Sequence, residues 1–328
     1  MRTGRKLWLA ALAVFVAIVT PHLSARAQDT FPNRPIRFVN PYPAGGPLDT
    51  IVRRLAEAVS PILGQSVIVE NRAGANGTLG AAEVLKNPDG YTYLVTTPDP
   101  LIHMPILMNS VPYNPRKDFF LMTQVSLSVI ALVANADMPA TLPEIMAAAK
   151  AKPGSVSFGS FGNGSQPHLI SEIIERQDGV RLNHVPYRGA GPALQDVLAK
   201  QISFSFTAPI AAAPMARDGK LKIAAATGSK RTAMIPDVPT FAELGYTHPL
   251  LEIRYWAGVF APAAAPKDAV EKVLKAIQTA VATPAFGQFI TSTGWEVVNN
   301  GPAEFEAAFN KEYDIVEKVA TDYKIPKM

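Results

Sequence analysis

A strand–loop–helix corner is written twice into this chain. Residues 40 to 47 read NPYPAGGP and residues 185 to 192 read VPYRGAGP, so Pro41, Tyr42, Gly46 and Pro47 align with Pro186, Tyr187, Gly191 and Pro192. Each copy follows a short run of β-branched residues and precedes a helical pattern. In each the helix starts at or near a proline, whose fixed φ suits a first helical turn. Glycine there lets the backbone turn where a side chain would obstruct an approaching ligand. In parallel α/β sheets ligands settle beyond the carboxyl ends of strands, where helix N-termini offer unpaired N–H groups and the positive end of the macrodipole. Two such corners predict two equivalent lobes facing one another across a carboxylate trap.

The alternation around the corners is that of βαβ units, and the fold class is α/β. Strands are expected at 36–40, 66–70, 93–96, 155–158, 182–185, 202–206 and 221–225. Between the first two, Ile51, Leu55, Val59 and Ile62 fall on one stripe of a helix over 48–62, with Arg53, Arg54 and Glu57 left for solvent. Late in the chain, Val270, Val273, Leu274, Ile277 and Val281 follow Pro266, and Phe305, Phe309, Tyr313, Val316, Val319 and Tyr323 follow Pro302. Both runs are helical in period, and the aromatic stripe is read as core packing.

The N-terminus reads as a cleavable secretory signal: Arg2, Arg5 and Lys6, an apolar run from Leu7 to Val19, a breaker at Pro21 and small residues at Ala25 and Ala27. Cleavage is expected after Ala27, with a Gram-negative periplasm as the destination. The apolar run falls short of the ~20 residues a spanning helix needs. Removing the segment also removes four basic and no acidic residues, leaving 27 basic against 27 acidic. The remainder has no net positive field for a phosphate backbone, so no nucleic-acid partner is expected. Some 300 residues with 48% hydrophobic content suit two lobes better than one. The absence of cysteine removes thiol chemistry, disulfides, thiolate metal sites and a lipid anchor together.

From FPNRPIRFVNPYPAGGPLD through LGQSVIVENRAGANGTLGAAEV, PDGYTYLV, VPYNPRKDF, FGSFGNGSQPHL, VPYRGAGPALQDVLAK and the TGSKRTAMIPDVPTFAELGY block to GVFAPAAAP, the chain resembles the tripartite tricarboxylate transporter substrate-binding proteins, also called Bug receptors. The resemblance implies a two-lobed periplasmic binding protein, a Venus flytrap in which each lobe is a mixed, mostly parallel sheet flanked by helices. It implies a discontinuous first lobe, 28–128 plus 252–328, and an inserted second lobe, 129–251, with crossings near 126–133 and 250–256. Family ligands are mostly small carboxylates held by backbone amides and waters at the two corners. The implied mechanism is population shift, in which ligand stabilises the closed form, and the closed form docks on integral membrane transporter subunits. No cofactor is implied, and a monomer is expected.

Carried onto this chain, the first corner supplies Tyr42, Ala44, Gly45, Gly46 and Asp49, the second Tyr187, Arg188 and Gly189, and a polar cleft loop Ser160, Asn163, Gly164 and Ser165. Asp49 is open between two roles, meeting a ligand amino group or water, and serving as a helix N-terminal charge. The chain departs from relatives at Thr97, Pro98, Asp99, Pro100 and His103, and at Phe161, which stands where relatives carry something small. Phe161 is therefore a candidate to stack on an aromatic acid such as terephthalate.

Other patterns are weaker. GANGTLG, with Gly74, Gly77 and Gly80, has the wrong spacing for a dinucleotide loop. Ser160, Ser165 and His168 lie in no GxSxG elbow, which makes a secreted serine hydrolase the lesser alternative. A sensory subunit of a membrane kinase is another. His103, His168, His184 and His248 are scattered and designate no metal site. The expectation is a receptor and not an enzyme.

Overall fold

IRFVN at Ile36–Asn40 places Ile36, Phe38 and Val39 out of water, and it becomes strand β1 of a computed structural model that describes residues 31–328. The expected signal segment and its cleavage site lie outside the described residues. The further strands are β2 (Val67–Asn71), β3 (Thr92–Thr96), β4 (Phe119–Ser128), β5 (Ala131–Asn135), β6 (Ser157–Ser160), β7 (Asn183–Pro186), β8 (Phe204–Thr207), β9 (Leu221–Ala226), β10 (Tyr255–Pro262) and β11 (Glu296–Val297). They form two sheets, a six-stranded one in the order β11-β4-β10-β3-β1-β2 and a five-stranded one in the order β7-β6-β8-β5-β9.

The expectation of mostly parallel sheets needs correction. Parallel pairing is confined to β1 with β2 and β3, and to β6 with β7 and β8. Antiparallel pairing joins β10 to β3 and β4, β11 to β4, and β5 to β8 and β9. The cause is connectivity. β4 feeds the second sheet and β10 returns from it, so these long strands run against each other through the first sheet.

Helix Pro47–Leu63 starts with Pro47 in its first turn, ends at a left-handed Gly64 and buries Ile51, Val52, Leu55 and Val59. Ile62, expected on that stripe, is 43% exposed, and Leu63 is buried instead. From Val59 the next core position can fall three or four residues on, and the sheet takes the fourth. The helix packs beside helix Lys267–Val281, which buries Val270, Val273, Ile277 and Val281. In the C-terminal helix Pro302–Asp322, Phe305, Phe309, Val316 and Val319 are buried, with Tyr313 partly so, as is Tyr323 just past its end.

Between β4 and β5 the chain crosses in two residues, Val129 and Ile130, and it returns between β9 and β10. The crossings are stitched to each other. Ile130 N donates to Thr227 Oγ1 and Thr227 N to Ile130 O, each at 2.9 Å. Gly228 N donates to Leu251 O at 2.9 Å. Gly228 has φ +107°, and a Cβ there would stand 3.3 Å from Val129 Cγ1, so the return crossing needs a residue free of both constraints.

Candidate ligand-binding site

The two copies of the corner end strands in different places of the two sheets: β1 lies between β2 and β3, whereas β7 is an edge strand paired with β6, the place β2 holds in the first sheet. β1 runs into Pro41–Gly46 and helix Pro47–Leu63, and β7 runs into Tyr187–Gly189 and helix Ala190–Leu198. Each helix leaves its first N–H groups without a carbonyl four residues back. A third helix N-terminus, that of Gln166–Asp178, follows the loop 161–165 at the end of β6, next to β7.

The first corner is closed around Asp49. Its Oδ1 accepts from Asn40 Nδ2 (3.3 Å) and Asn71 Nδ2 (2.8 Å), and its Oδ2 from Gly45 N (2.9 Å) and Arg53 Nε (2.9 Å). Burial opposes ionisation here, but Arg53, the Gly45 amide and the two asparagines outweigh it and hold the carboxyl down at about 2. With both oxygens filled by protein donors, Asp49 shapes the loop. Ala44 and Gly45 are exposed and Gly46 is the helix N-cap.

Tyr42 reaches from this corner to β3 and β10. Its hydroxyl lies 2.5 Å from Thr97 Oγ1, which is 3.0 Å from the Tyr255 hydroxyl. Tyr255 in turn donates to Asp99 Oδ2 at 2.5 Å. Burial, and then the charge of Asp99, raise both phenols well above their usual range, so they stay protonated. Behind them Asp99 Oδ1 meets His103 Nδ1 at 2.6 Å, and His103 Nε2 faces Glu312 Oε1 at 3.9 Å. Glu312 also accepts from Trp256 Nε1 at 2.7 Å. Burial pushes its carboxyl up to about 7, against the opposing pull of His103 and Trp256.

The loop after β6 meets this group from the other sheet. Phe161 packs edge-on against Tyr255, ring centres 6.5 Å apart. Asn76 Nδ2 donates to Asn163 O at 3.0 Å. Gly164, at φ +76°, has Met104, Leu107 and Met328 where its Cβ would be, so this close approach between the lobes depends on glycine. Ser165 Oγ donates to Gly162 O (2.7 Å), and Gly164 N donates to His168 Nδ1 (3.0 Å).

The second corner is sparser. Tyr187 N donates to Ser160 O (3.1 Å), and its hydroxyl donates to Asp196 Oδ2 (2.6 Å) on the helix that follows. Arg188 is exposed, and Gly189 caps that helix. The structure thus brings Tyr42, Phe161, Asn163 and Gly164 to one seam, whereas among the described residues Tyr187 and Arg188 make no side-chain hydrogen bond to the first lobe. Asn71, Asn76 and Tyr255 were not visible as site residues in the sequence. The Asn-Gly pair at 76–77, with Asn76 at φ 50°, was the one local signal available.

Ser160 Oγ lies 2.6 Å from His184 Nε2, a contact the hydrolase alternative would need. The serine is wholly buried, and among the described residues no carboxylate bonds the other nitrogen of His184, whose ring is sandwiched between Phe158 and His168. Burial, with His168 adding to it, lowers the imidazole to about 4. This is a packed pair with no orienting acid. Two hollows lie elsewhere: about 90 Å³ at the crossings, lined by Lys230, Arg231, Arg254 and Glu296 among others, and about 490 Å³ between helix Pro209–Arg217 and the 234–238 segment. Neither includes a corner residue.

The profile of the Tripartite tricarboxylate transporter family receptor matches residues 51–319. Protein BugT of Bordetella pertussis is 37% identical over 77% of this chain and 78% of its own length. Among solved structures, the periplasmic binding protein BugD superposes with a TM-score of 0.83 at 31% identity, covering 91% of this chain and all of BugD. MatC from Rhodopseudomonas palustris, solved with bound malate, superposes with a TM-score of 0.80 at 29% identity, covering 88% of this chain and 99% of MatC. The two-lobed fold is that of the periplasmic binding proteins, and the family is one of receptors, not enzymes.

Proposed function

The chain belongs to the tripartite tricarboxylate transporter receptor family, and from that premise we propose that it captures a small carboxylate in the periplasm and delivers it to integral membrane transporter subunits. The observation that carries this reading is the pair of matched corners, one per lobe, each ending a parallel strand and opening a helix whose first N–H groups are free. Such amides bind an anion without a paired cation. They suit a carboxylate better than Arg188, the one cation of the corners, does alone.

The ligand is a dicarboxylate, or an aromatic acid such as terephthalate, for which Phe161 is the stacking candidate. The malate of MatC supports the first class. Lobe 1 comprises 28–128 and 252–328 and lobe 2 comprises 129–251, with the stitched crossings as the hinge. The ligand-binding set is Tyr42, Ala44, Gly45, Gly46, Ser160, Phe161, Asn163, Gly164, Ser165, Tyr187, Arg188 and Gly189, with Asp49 holding the first loop in shape. Export follows cleavage after Ala27, and the receptor acts as a monomer. Among the described residues no helix is long and apolar enough to cross a membrane, so delivery requires a partner that does.

A thermal-shift screen of residues 28–328 against aliphatic, aromatic and amino-acid carboxylates tests the reading, because a ligand that binds the native state raises the melting temperature. A hit recovered chemically unaltered is the expected result. Conversion of the hit, or no hit among carboxylates, contradicts it.

A further inference from the structure

The helix Pro302–Asp322 ends in a turn that sends the chain back along the molecule. Ile325 N donates to Ala320 O (3.0 Å) and Lys324 N to Thr321 O (3.1 Å), with Lys324 left-handed at φ 49°. That pair of bonds closes a helix end in a fixed geometry, and Ala320 and Ile325 both pack against the core beside it. Pro326 then cannot continue the helix. Residues 323–328 leave as a shaped strap. Its far end is fixed to the segment between β3 and β4, where Met328 N donates to Leu107 O and Asn109 N to Met328 O, each at 2.8 Å.

Both anchors belong to the first lobe, since the helix packs on β4. Between them the strap touches the second lobe. Arg176, on the helix Gln166–Asp178 that follows β6, donates through Nη2 to Tyr323 O and lies over the Tyr323 ring, 4.8 Å from its centre. The His248 ring is centred 6.0 Å from the same ring. The Met328 methyl carbon stands 2.8 Å from where a Gly164 Cβ would be, against the loop 161–165. Parting the lobes at this seam breaks the Arg176 and Gly164 contacts, and a contact made in one conformation only shifts the equilibrium toward it by its own free energy.

We infer that residues 323–328 are a clasp between the lobes, which biases the protein toward closure before any ligand arrives and so lowers the cost of closing that a ligand meets. The inference rests on the two-lobed receptor reading and adds a control of its closure. It does not depend on which acid is bound.

The test is made without ligand. Spin labels at Glu57→Cys, on the helix Pro47–Leu63, and at Lys150→Cys, on the helix Leu142–Ala151, report the spacing of the lobes in residues 28–328. Arg176→Ala removes one charge-assisted hydrogen bond and one cation–π contact at a half-exposed site. It is expected to raise the ratio of open to closed molecules about fivefold, seen by pulsed electron resonance as growth of a longer-distance population. Removing residues 323–328 gives a larger rise. If that variant does not fold, as judged by circular dichroism, Arg176→Ala decides. A distance distribution that Arg176→Ala leaves unmoved, even with a lowered melting temperature, makes the strap a brace of the fold alone and overturns the inference. That result leaves the carboxylate reading standing, and failure of every carboxylate to bind leaves the clasp standing.

Discussion

The two corners share four of eight residues and almost none of their bracing. At the first, a buried carboxylate takes four hydrogen bonds and ties the loop to β1, β2 and the helix. At the second, one tyrosine–aspartate bond and one backbone bond hold the loop, and Arg188 is exposed. Even the helix starts differ. Pro47 opens the first helix, while the second begins at Ala190, two residues before Pro192. A repeated motif fixes where a corner lies, and its neighbours decide how stiff it is. On the proposed reading, the braced first corner is the preformed half of the site and the second is the half that ligand completes.

Stability should separate the corners most. Asp49→Ala strands the Asn40, Asn71, Gly45 and Arg53 donors and is expected to cost about 3 kcal/mol in urea unfolding. Asp196→Ala at the second corner should cost less than about 1 kcal/mol. Equal costs would break the comparison.

Buried charge behind the first corner gives a smaller effect with a definite sign. Glu312, at about 7 in the fold, lies above the ordinary carboxyl value of 4.5, so the native state holds the extra proton and stability falls as pH rises from 4.5 to 7. Glu312→Gln should melt above the native protein at pH 8, by roughly 2–4 °C, with the gap closing near pH 4.5. A gap that does not change with pH would remove the buried charge from the account.

Acid should reach the lobes in sequence. His184 is neutral in the fold with its value lowered from 6.5 to about 4, so the unfolded chain binds the extra proton and second-lobe stability is lost as pH falls across that window. Asp49, lowered from 3.8 to about 2, protects the first corner until pH falls below 4. Hydrogen exchange at pH 5 should rise around 160–165 and 183–186 before it rises around 41–49. The reverse order would contradict the assigned bracing. The smallest effect is that of Tyr187→Phe, which removes one half-buried hydroxyl bond and should cost about 0.5 kcal/mol of stability, again by urea unfolding.

Much of the fold was legible because its signals are local. β1 falls at the expected 36–40, and six other strands fall within two residues of expectation at each end. β4, β5, β10 and the two-residue β11 were not foreseen. FFLMTQVSLS, ALVAN and YWAGVFAP are buried on both faces nearly throughout, which erases the alternation that marks a strand. The same strands make the pairing less parallel than expected. At the site, the corners were readable as a repeat, and the departure at Thr97, Asp99 and His103 was visible as a break in pattern. Tyr255 and Asn76 were not, because they meet the site from 158 and 87 residues away, contacting Thr97 and Asn163.

The central claim is that ligand closes the two lobes on each other. The chain has no cysteine, so Glu57→Cys on the helix Pro47–Leu63 and Lys150→Cys on the helix Leu142–Ala151, both exposed, give one spin-label pair across the cleft. Distances measured by pulsed electron resonance, with and without the carboxylate found by thermal shift, test closure directly. The account predicts that saturating ligand narrows and shifts the distance distribution. Binding that leaves the distribution unmoved would contradict it.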